Sequence, residues 1–326
     1  MGKLDRFGGV FLLPLVIAAL AFVLIGAPSS WLTLTIAGLS MGMMIFLMAS
    51  GLSLVFGLMD VLNFGHSAFV SFGAFIAASV LAYFGGWLTS DSIALNILAF
   101  TLALAAAITF GALAGWFFER VIVKPVYKDH LRQILITMGA LIVAEQLILA
   151  TWGGSPINVP RPHFLEGTMI IGQSSLEIYR LFAFLLGAVV YAALFFLLNR
   201  TRMGLLIRAG VENREMVEAL GFRIDRIFIV VFMLGSALAA LGGAMWAGYE
   251  TIITPALGAQ MMVIVFIVVI IGGLGSIQGT LLGAIIVALM QNYVGFLAPK
   301  LALASNMLLM MAILLWRPSG LAPAVK

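Results

Sequence analysis

The chain has 326 residues, of which 63% are hydrophobic and 9% are charged, with a formal net charge of +4 and no cysteine. Soluble domains are roughly 45–50% apolar and about 25% charged, so this composition excludes a soluble globular protein. The lack of cysteine excludes disulfides, thiolate catalysis and cysteine metal sites. Long continuous apolar runs predict membrane-spanning helices rather than the shorter, alternating strands of a membrane barrel.

Apolar runs suited to a hydrocarbon core of about 30 Å recur along the whole sequence. They predict one transmembrane domain over residues 1–326, an all-α polytopic bundle of about eight to ten helices, some of them interrupted. The first run resembles a signal peptide but has no clear A-x-A site after it, which favours an uncleaved span. The predicted spans are 10–27, 32–50 (running on towards 58), 64–84, 93–117, 132–151, 180–198, 227–248, 259–272, 280–297 and 301–316.

The distribution of basic residues predicts the orientation of the bundle. With a cytoplasmic N-terminus, only three of the 17 Lys and Arg residues fall on the outer side, namely Arg161, Arg180 and Lys300. Because cytoplasmic loops are enriched in Lys and Arg, both termini are expected in the cytoplasm. An outer loop at about 151–179 follows from this orientation, and it is either a docking surface for an outer partner or a plain surface loop.

Two stretches interrupt the predicted helices, "GLSLVFGLMDVLNFGHSAFVSFGAF" at 51–75 and "VIIGGLGSIQGTLLGAI" at 269–285. Non-helical backbone at membrane depth is tolerated only where protein or a watery cavity satisfies it, and transporters line substrate sites in this way. Plain cytoplasmic hairpins are the alternative. Polar residues in or near spans are costly and often functional. The candidate pathway residues are Asn63, His66, Ser67, Glu145 and Gln278.

Small residues at a spacing of four favour close contact between helices. One such stripe contains Gly235, Ala239, Gly243 and Ala247, and a second contains Gly275, Gly279 and Gly283.

Enzymatic chemistry has no sequence support in this chain. The glycines of "GLGSIQG" lack both a preceding strand and the lysine of a phosphate-binding loop. The three histidines fall in different segments, and no metalloprotease or serine-hydrolase motif is present. We therefore expect neither a catalytic set nor a metal site, nor a nucleotide site within the chain.

The predicted cytoplasmic loop at about 199–226 concentrates charge in "GVENREMVEALGFR". Asn213 suits an N-cap, Glu215 suits the first turn and Gly221 suits the position after the helix, so the sequence predicts a short helix over 214–220. A helix of two turns is marginal alone in water. Its apolar side, Met216, Val217 and Leu220, suits a groove on a partner, although a loop helix without any partner is the alternative.

Four motifs together resemble one family. "EALG" followed by "FRIDRIFIVVFMLGSALAALGGAM" resembles the cytoplasmic EAA-type loop of ABC importer permeases. "GLSLVFGLMDVLNFGHSAFVSFGAF", "GGLGSIQGTLLGAI" and "LLWRPSGL" are similar to segments of branched-chain amino-acid permeases, in the same order. The resemblance covers roughly residues 36–320, and the chain is identified as a member of that family.

The resemblance implies a transport subunit rather than an enzyme, in a bacterial inner (plasma) membrane. Its partners would be a second related permease in a heterodimer, two cytoplasmic ATPases that hold ATP and Mg²⁺, a periplasmic binding protein and the lipid bilayer, with no nucleic acid. ATPase closure would drive alternating access for leucine, isoleucine, valine or a related small amino acid, amide or carboxylate. The residues implied to couple to the ATPase are Asn213, Glu215, Met216, Glu218, Ala219, Leu220 and Gly221.

Two departures from the family pattern leave the substrate open. Asp60 stands where relatives often have a basic or small residue, and Gly65-His66-Ser67 replaces the usual Ala-His-Gly. From the residues alone, a secondary transporter or channel for a small solute is the alternative function. Such a protein would more often show intramembrane ionisable residues for ion coupling. In this sequence Glu145 is the one reasonable candidate for an ion-coupling residue.

Overall fold

The computed structural model describes residues 10–127, 129–172, 174–212, 214–221 and 223–323. Within these ranges the chain forms a bundle of helices, and every predicted span corresponds to one of them. The helices are α1 (Leu13–Ile25), α2 (Pro28–Met59), α3 (His66–Tyr83), the single turn α4 (Gly85–Leu88), α5 (Ile93–Phe118), α6 (His130–Trp152), α7 (Ile178–Arg200), α8 (Arg202–Glu212), α9 (Arg214–Ala219), α10 (Ile224–Glu250), α11 (Leu257–Gly272), α12 (Ile277–Leu297) and α13 (Ala302–Trp316).

The predicted all-α membrane fold is confirmed. Among the described residues, eight helices are long and apolar enough to cross a membrane, counting the short helical extensions of α5 and α13. The shorter α1 and α11, of 13 and 16 residues, complete the ten predicted spans. The second span does run on towards residue 58, because α2 has 32 residues and ends at Met59.

The local sequence explains why α1 and α2 are two helices rather than one continuous helix. Gly26 adopts a left-handed φ of 69° after α1, a conformation that glycine accepts without steric cost. Pro28 begins α2, where its missing N–H has no intrahelical partner to lose. A helix stop and a helix start therefore lie three residues apart.

The core of the bundle is built by α2, α3, α10 and α12, whose side chains are largely buried. The helices α6 and α7 lie at the periphery and expose large apolar side chains such as Leu135, Val143, Leu185 and Phe196. Such an apolar surface would be a liability in water, and it suits contact with hydrocarbon or with another membrane chain.

Glycines allow the core helices to touch through their backbones. A Cβ added to Gly235 would lie 2.8 Å from the carbonyl oxygen of Gly51, and one added to Gly243 would collide with the carbonyl oxygen of Val70. These contacts bring α10 directly against α2 and α3.

The second glycine stripe also makes contacts, but it begins differently from the prediction. Gly279 and Gly283 of α12 lie against the backbone of α11. Gly275 lies in the turn between the two helices, with φ of 80°, rather than in the predicted helical repeat. Its sequence spacing fits the stripe, but α12 starts two residues later, at Ile277.

Two short antiparallel pairs close the end of the bundle that the charge distribution assigns to the outside. Strand β1 (Ile157–Asn158) pairs with β4 (Ile252–Ile253), and β2 (Thr168–Ile171) pairs with β3 (Ser174–Glu177).

The guanidinium of Arg161 fastens the outer loop to the C-terminal end of α10. It donates hydrogen bonds to the carbonyl oxygens of Gly248 and Tyr249, and it forms an ion pair with Glu177 at 3.2 Å. The last carbonyls of a helix lack intrahelical partners, and a cation is favourable at this end of the helix dipole. We call Arg161 together with the pair β1–β4 the outer strap.

Candidate functional site

The break between α2 and α3 is buried or half-buried apart from the exposed Asp60, and side chains of α6 satisfy two of its backbone amides. The amide of Leu62 donates to the Gln133 side-chain oxygen at 3.3 Å, and the amide of Phe64 donates to the Thr137 hydroxyl at 3.1 Å. The Phe64 ring also stacks on Phe266 of α11, with ring centroids 4.5 Å apart. The protein thus meets the requirement that irregular backbone in a membrane protein must find internal partners.

Sequence analysis missed both supporting residues. Gln133 and Thr137 are fully buried, although they occupy the start of a helix that is otherwise mostly exposed. Their spacing of four residues places them on one helical face, which was the available signal.

Three predicted pathway residues lie together beside this break. Asn63, His66 and Ser67 are fully buried, as is Ser53 on α2. His66 Nε2 lies 2.9 Å from the carbonyl oxygen of Met48, and since a carbonyl only accepts, the ring proton is on Nε2. We call Asn63, His66 and Ser67 the polar cluster.

The polar cluster contains several atoms without hydrogen-bond partners among the described residues. They are the Ser67 hydroxyl, both amide atoms of Asn63 and His66 Nδ1. Each unsatisfied buried group costs about 1–3 kcal/mol, and native proteins contain few of them. Buried donors and acceptors of this kind are commonly paired with ordered water or a bound molecule, so the polar cluster is a candidate part of the pathway.

The other two predicted pathway residues lie away from the polar cluster. Glu145 is half-buried on α6, about 12 Å further along the helix axis than Thr137. Gln278 is exposed in the first turn of α12.

The second interruption, at residues 273–276, packs against the inner end of α2. A Cβ added to Gly57 would lie 2.5 Å from the Cα of Gly275. The two interrupted segments that the sequence indicated therefore meet at the end of the bundle predicted to be cytoplasmic.

The C-terminal motif "LLWRPSGL" also reaches this second break. The amide of Leu321 donates to the Ile271 carbonyl at 2.8 Å, and the amide of Ala322 donates to the Gly272 carbonyl at 3.0 Å. These bonds satisfy carbonyls at the end of α11 that no helical partner can reach.

The short helix predicted over 214–220 is present as α9, and we call residues 214–221 the coupling segment. Met216 and Leu220 are 61% and 70% exposed, whereas Val217 is buried. The expected three-residue apolar face is thus divided between a solvent side and a packed side. Gly221 ends the segment with φ of 88°. Glu218 and Ala219 are exposed.

Two of the predicted coupling residues have little structural description. Asn213 lies outside the described residues, and Glu215 lies in α9 with its side chain outside the description. Sequence analysis did not anticipate the preceding helix α8, which joins the coupling segment to the end of α7.

Comparison with known proteins identifies a family. Residues 34–316 match the family described as "Branched-chain amino acid transport system / permease component". The chain is 27% identical to the high-affinity branched-chain amino acid transport system permease protein BraD of Pseudomonas aeruginosa, over 87% of this chain and 93% of that protein.

Two further relatives, LivH and LivM, are also permease proteins of high-affinity branched-chain amino acid transport systems. Identity to LivH of Escherichia coli is 25%, over 87% of this chain and 92% of that protein. Identity to LivM of Salmonella typhimurium is 25%, over 88% of this chain and 69% of that protein.

Among solved structures, a metal-chelate type ABC transporter in an inward-facing conformation matches 95% of this chain and 99% of its own. The TM-score is 0.49 and the sequence identity is 17%. A likeness this distant does not bear on the transported solute.

Proposed function

Since the chain belongs to the family of branched-chain amino acid transport permeases, we propose that it imports leucine, isoleucine, valine or a related small amino acid, amide or carboxylate. It is a permease subunit of an ATP-binding cassette importer, a transport component rather than an enzyme. The observation that carries this conclusion is the match over residues 34–316, with BraD and LivH aligned over nearly their whole length.

Energy is proposed to come from two cytoplasmic ATPase subunits, which hold ATP and Mg²⁺. The sequence itself lacks a phosphate-binding loop. The exposed side chains of Met216 and Leu220, four residues apart, give the coupling segment an apolar edge suited to a groove on such a subunit.

A second permease and a periplasmic binding protein are the other proposed partners. The chain resembles both LivH and LivM, which supports a pair of related but different permeases. The outer strap gives the outer face a fixed surface on which a binding protein can dock. We propose that this assembly lies in a bacterial inner membrane, with both termini of the chain in the cytoplasm.

The polar cluster is proposed to belong to the substrate pathway. Interrupted helices flanked by buried polar side chains are where transporters commonly line a substrate site. Transport rather than folding is then expected to suffer when Asn63 loses its amide.

Co-purification of the ATPase tests the proposed coupling. Leu220→Ser removes a central apolar contact, and such contacts are worth about 2 kcal/mol or more when they are hot spots, which is about a thirtyfold loss of affinity. We expect the variant permease to insert normally but to lose its ATPase and ATP-dependent uptake. Leu205→Ser is the matched control, because Leu205 is a similarly exposed leucine on neighbouring α8.

Two results would contradict the proposal. One is full retention of the ATPase and of uptake in the Leu220→Ser variant. The other is uptake that survives ATP depletion and follows an imposed ion gradient, which is the behaviour expected of a secondary transporter.

A further inference from the structure

A cleft of about 480 Å³ opens beside the coupling segment, at the predicted cytoplasmic end of the bundle. Its volume lies within the range of about 300–1,000 Å³ that small-molecule sites usually have. Three elements form it: the short helical extension that follows α5 (Glu119–Val123 and Lys124–Val126), the coupling segment and the first turns of α10. The lining residues are Arg120, Lys124, Glu218, Gly221, Arg223, Ile224, Asp225, Arg226 and Ile229.

The lining of the cleft is basic. Its four basic and two acidic side chains leave a formal charge of +2. One pair is already used, since Lys124 Nζ lies 3.2 Å from the Asp225 carboxylate. Within the described ranges, Arg120, Arg223 and Arg226 have no carboxylate at ion-pair distance. Three guanidinium groups therefore face one opening with donors available for an anion.

The cleft also lies at the border between apolar and polar surface. Trp116 and Phe117 at the end of α5 are exposed, as are Val121 in the extension that follows and Val230, four residues after Arg226 on α10. A tryptophan at the end of a span is typical of the headgroup region. An anion bound among the arginines would thus have exposed apolar side chains directly beside it.

We propose that this cleft binds the phosphate of an anionic phospholipid headgroup. The guanidinium groups of Arg120, Arg223 and Arg226 would hold the phosphate, and the acyl chains would lie along the exposed apolar side chains of α5 and α10. Basic pockets between membrane helices on the cytoplasmic side are suited to anionic headgroups, and each basic residue near the membrane surface adds attraction. Such a lipid would touch the coupling segment through Glu218 and Gly221.

The proposed lipid site does not depend on the proposed transport function, because its lining residues would bind the headgroup whichever solute the chain carries. A free phosphate ion shares the same chemistry but would make no use of the apolar border, which is why the membrane lipid is favoured. An acidic segment of the ATPase subunit is the competing occupant, and the experiment must separate it from the lipid.

Native mass spectrometry of the purified full-length chain tests the site, with phosphatidylglycerol and phosphatidylcholine added in separate titrations. We expect phosphatidylglycerol to bind more tightly to the unmodified chain than phosphatidylcholine. The Arg120→Gln/Arg226→Gln variant should lose at least about tenfold in apparent affinity for phosphatidylglycerol. The Arg200→Gln/Arg202→Gln variant removes the same charge from the same end of the bundle, outside the cleft, and should bind as the unmodified chain does.

A charge-conserving variant guards against misfolding. Arg120→Lys/Arg226→Lys should keep most of the affinity for phosphatidylglycerol, because lysine also binds phosphate as a point charge. Equal losses in the cleft variant and in the Arg200→Gln/Arg202→Gln variant would overturn the site, since they would show general attraction to a basic surface.

Two other outcomes would assign the cleft to something else. Displacement of phosphatidylglycerol by millimolar inorganic phosphate would show that a free ion occupies it. Normal phosphatidylglycerol binding by the Arg120→Gln/Arg226→Gln variant, together with loss of co-purifying ATPase, would show that the protein partner occupies it. Loss of ATPase in the Leu220→Ser variant with unchanged lipid binding concerns the transport function alone and supports separate sites.

Discussion

The helix crossings in the core and the coupling segment are built in opposite ways. In the core, Gly243 lies so close to α3 that an added Cβ would collide with the carbonyl oxygen of Val70. In the coupling segment, a six-residue helix leaves Met216 and Leu220 mostly exposed. The helix crossings of the core are therefore close-packed, while the coupling segment keeps an exposed apolar edge. Changes in the two regions should act independently, because distant sites with no shared partners are usually additive.

The largest effect is expected from Gly243→Ala. The new methyl group would meet backbone, which cannot rotate away, so the cost should reach about 3 kcal/mol or more. Thermal unfolding in detergent should show a clear drop in melting temperature. The control is Gly139→Ala on α6, where an added Cβ meets nothing within 4 Å and alanine should stabilise the helix by about 0.5–1 kcal/mol. Equal melting temperatures for the two variants would refute the contrast.

The next effect should come from the outer strap. Arg161→Gln removes the cation that binds two carbonyls of α10 and the Glu177 carboxylate, and we expect a loss of about 2–3 kcal/mol. Arg180→Gln removes an ion pair with the same carboxylate and should cost less than about 1 kcal/mol. Urea or thermal unfolding of both variants measures the difference, and a larger loss for Arg180→Gln would contradict the assigned roles.

A smaller effect on stability is expected from Asn63→Leu. Among the described residues the Asn63 amide has no protein partner to lose, so stability should change by less than about 1 kcal/mol while substrate uptake in proteoliposomes falls. The matched control is Asn96→Leu, because the Asn96 amide donates to the carbonyls of Trp87, Ser90 and Ser92. That variant should be less stable. An Asn63→Leu protein that is as unstable as the Asn96→Leu protein, or that transports normally, would exclude the proposed role of Asn63 in the pathway.

The smallest effect on stability is expected in the coupling segment. Leu220→Ser should change the free energy of unfolding by less than about 0.5 kcal/mol, as surface substitutions usually do. Its influence should appear in ATPase binding instead. A loss of stability as large as that of Gly243→Ala would remove the distinction between the two regions.

Sequence predicted the helices well because their signal is local. Each predicted span needs only its own apolar run, and all ten are present as helices. The short helix of the coupling segment was also predictable, since Gly221 provides a stop signal within the segment itself. The burial of Val217 was not predictable from the sequence, because the face that a two-turn helix buries depends on the elements against which it packs.

Contacts between residues far apart in the chain could not be predicted from the sequence. The support of residues 60–65 by Gln133 and Thr137 joins positions about seventy residues apart. The outer strap similarly pairs Ile157 with Ile253 through strands of two residues each, too short for any periodic pattern. Glu145 was grouped with the residues of the polar cluster because it is polar. Polarity does not show which neighbouring element a helical face contacts, so the sequence could not separate them.

The bonds from Leu321 and Ala322 to the end of α11 have a consequence for biosynthesis. The ribosome synthesises α11 before α12 and α13. The carbonyls of Ile271 and Gly272 can therefore accept these hydrogen bonds only after both later helices have left the ribosomal exit tunnel. The final three helices should therefore mature in the membrane as one late event. A nascent chain stopped before Leu321 would present bare backbone at the membrane surface, where proteases that survey newly inserted proteins can recognise it.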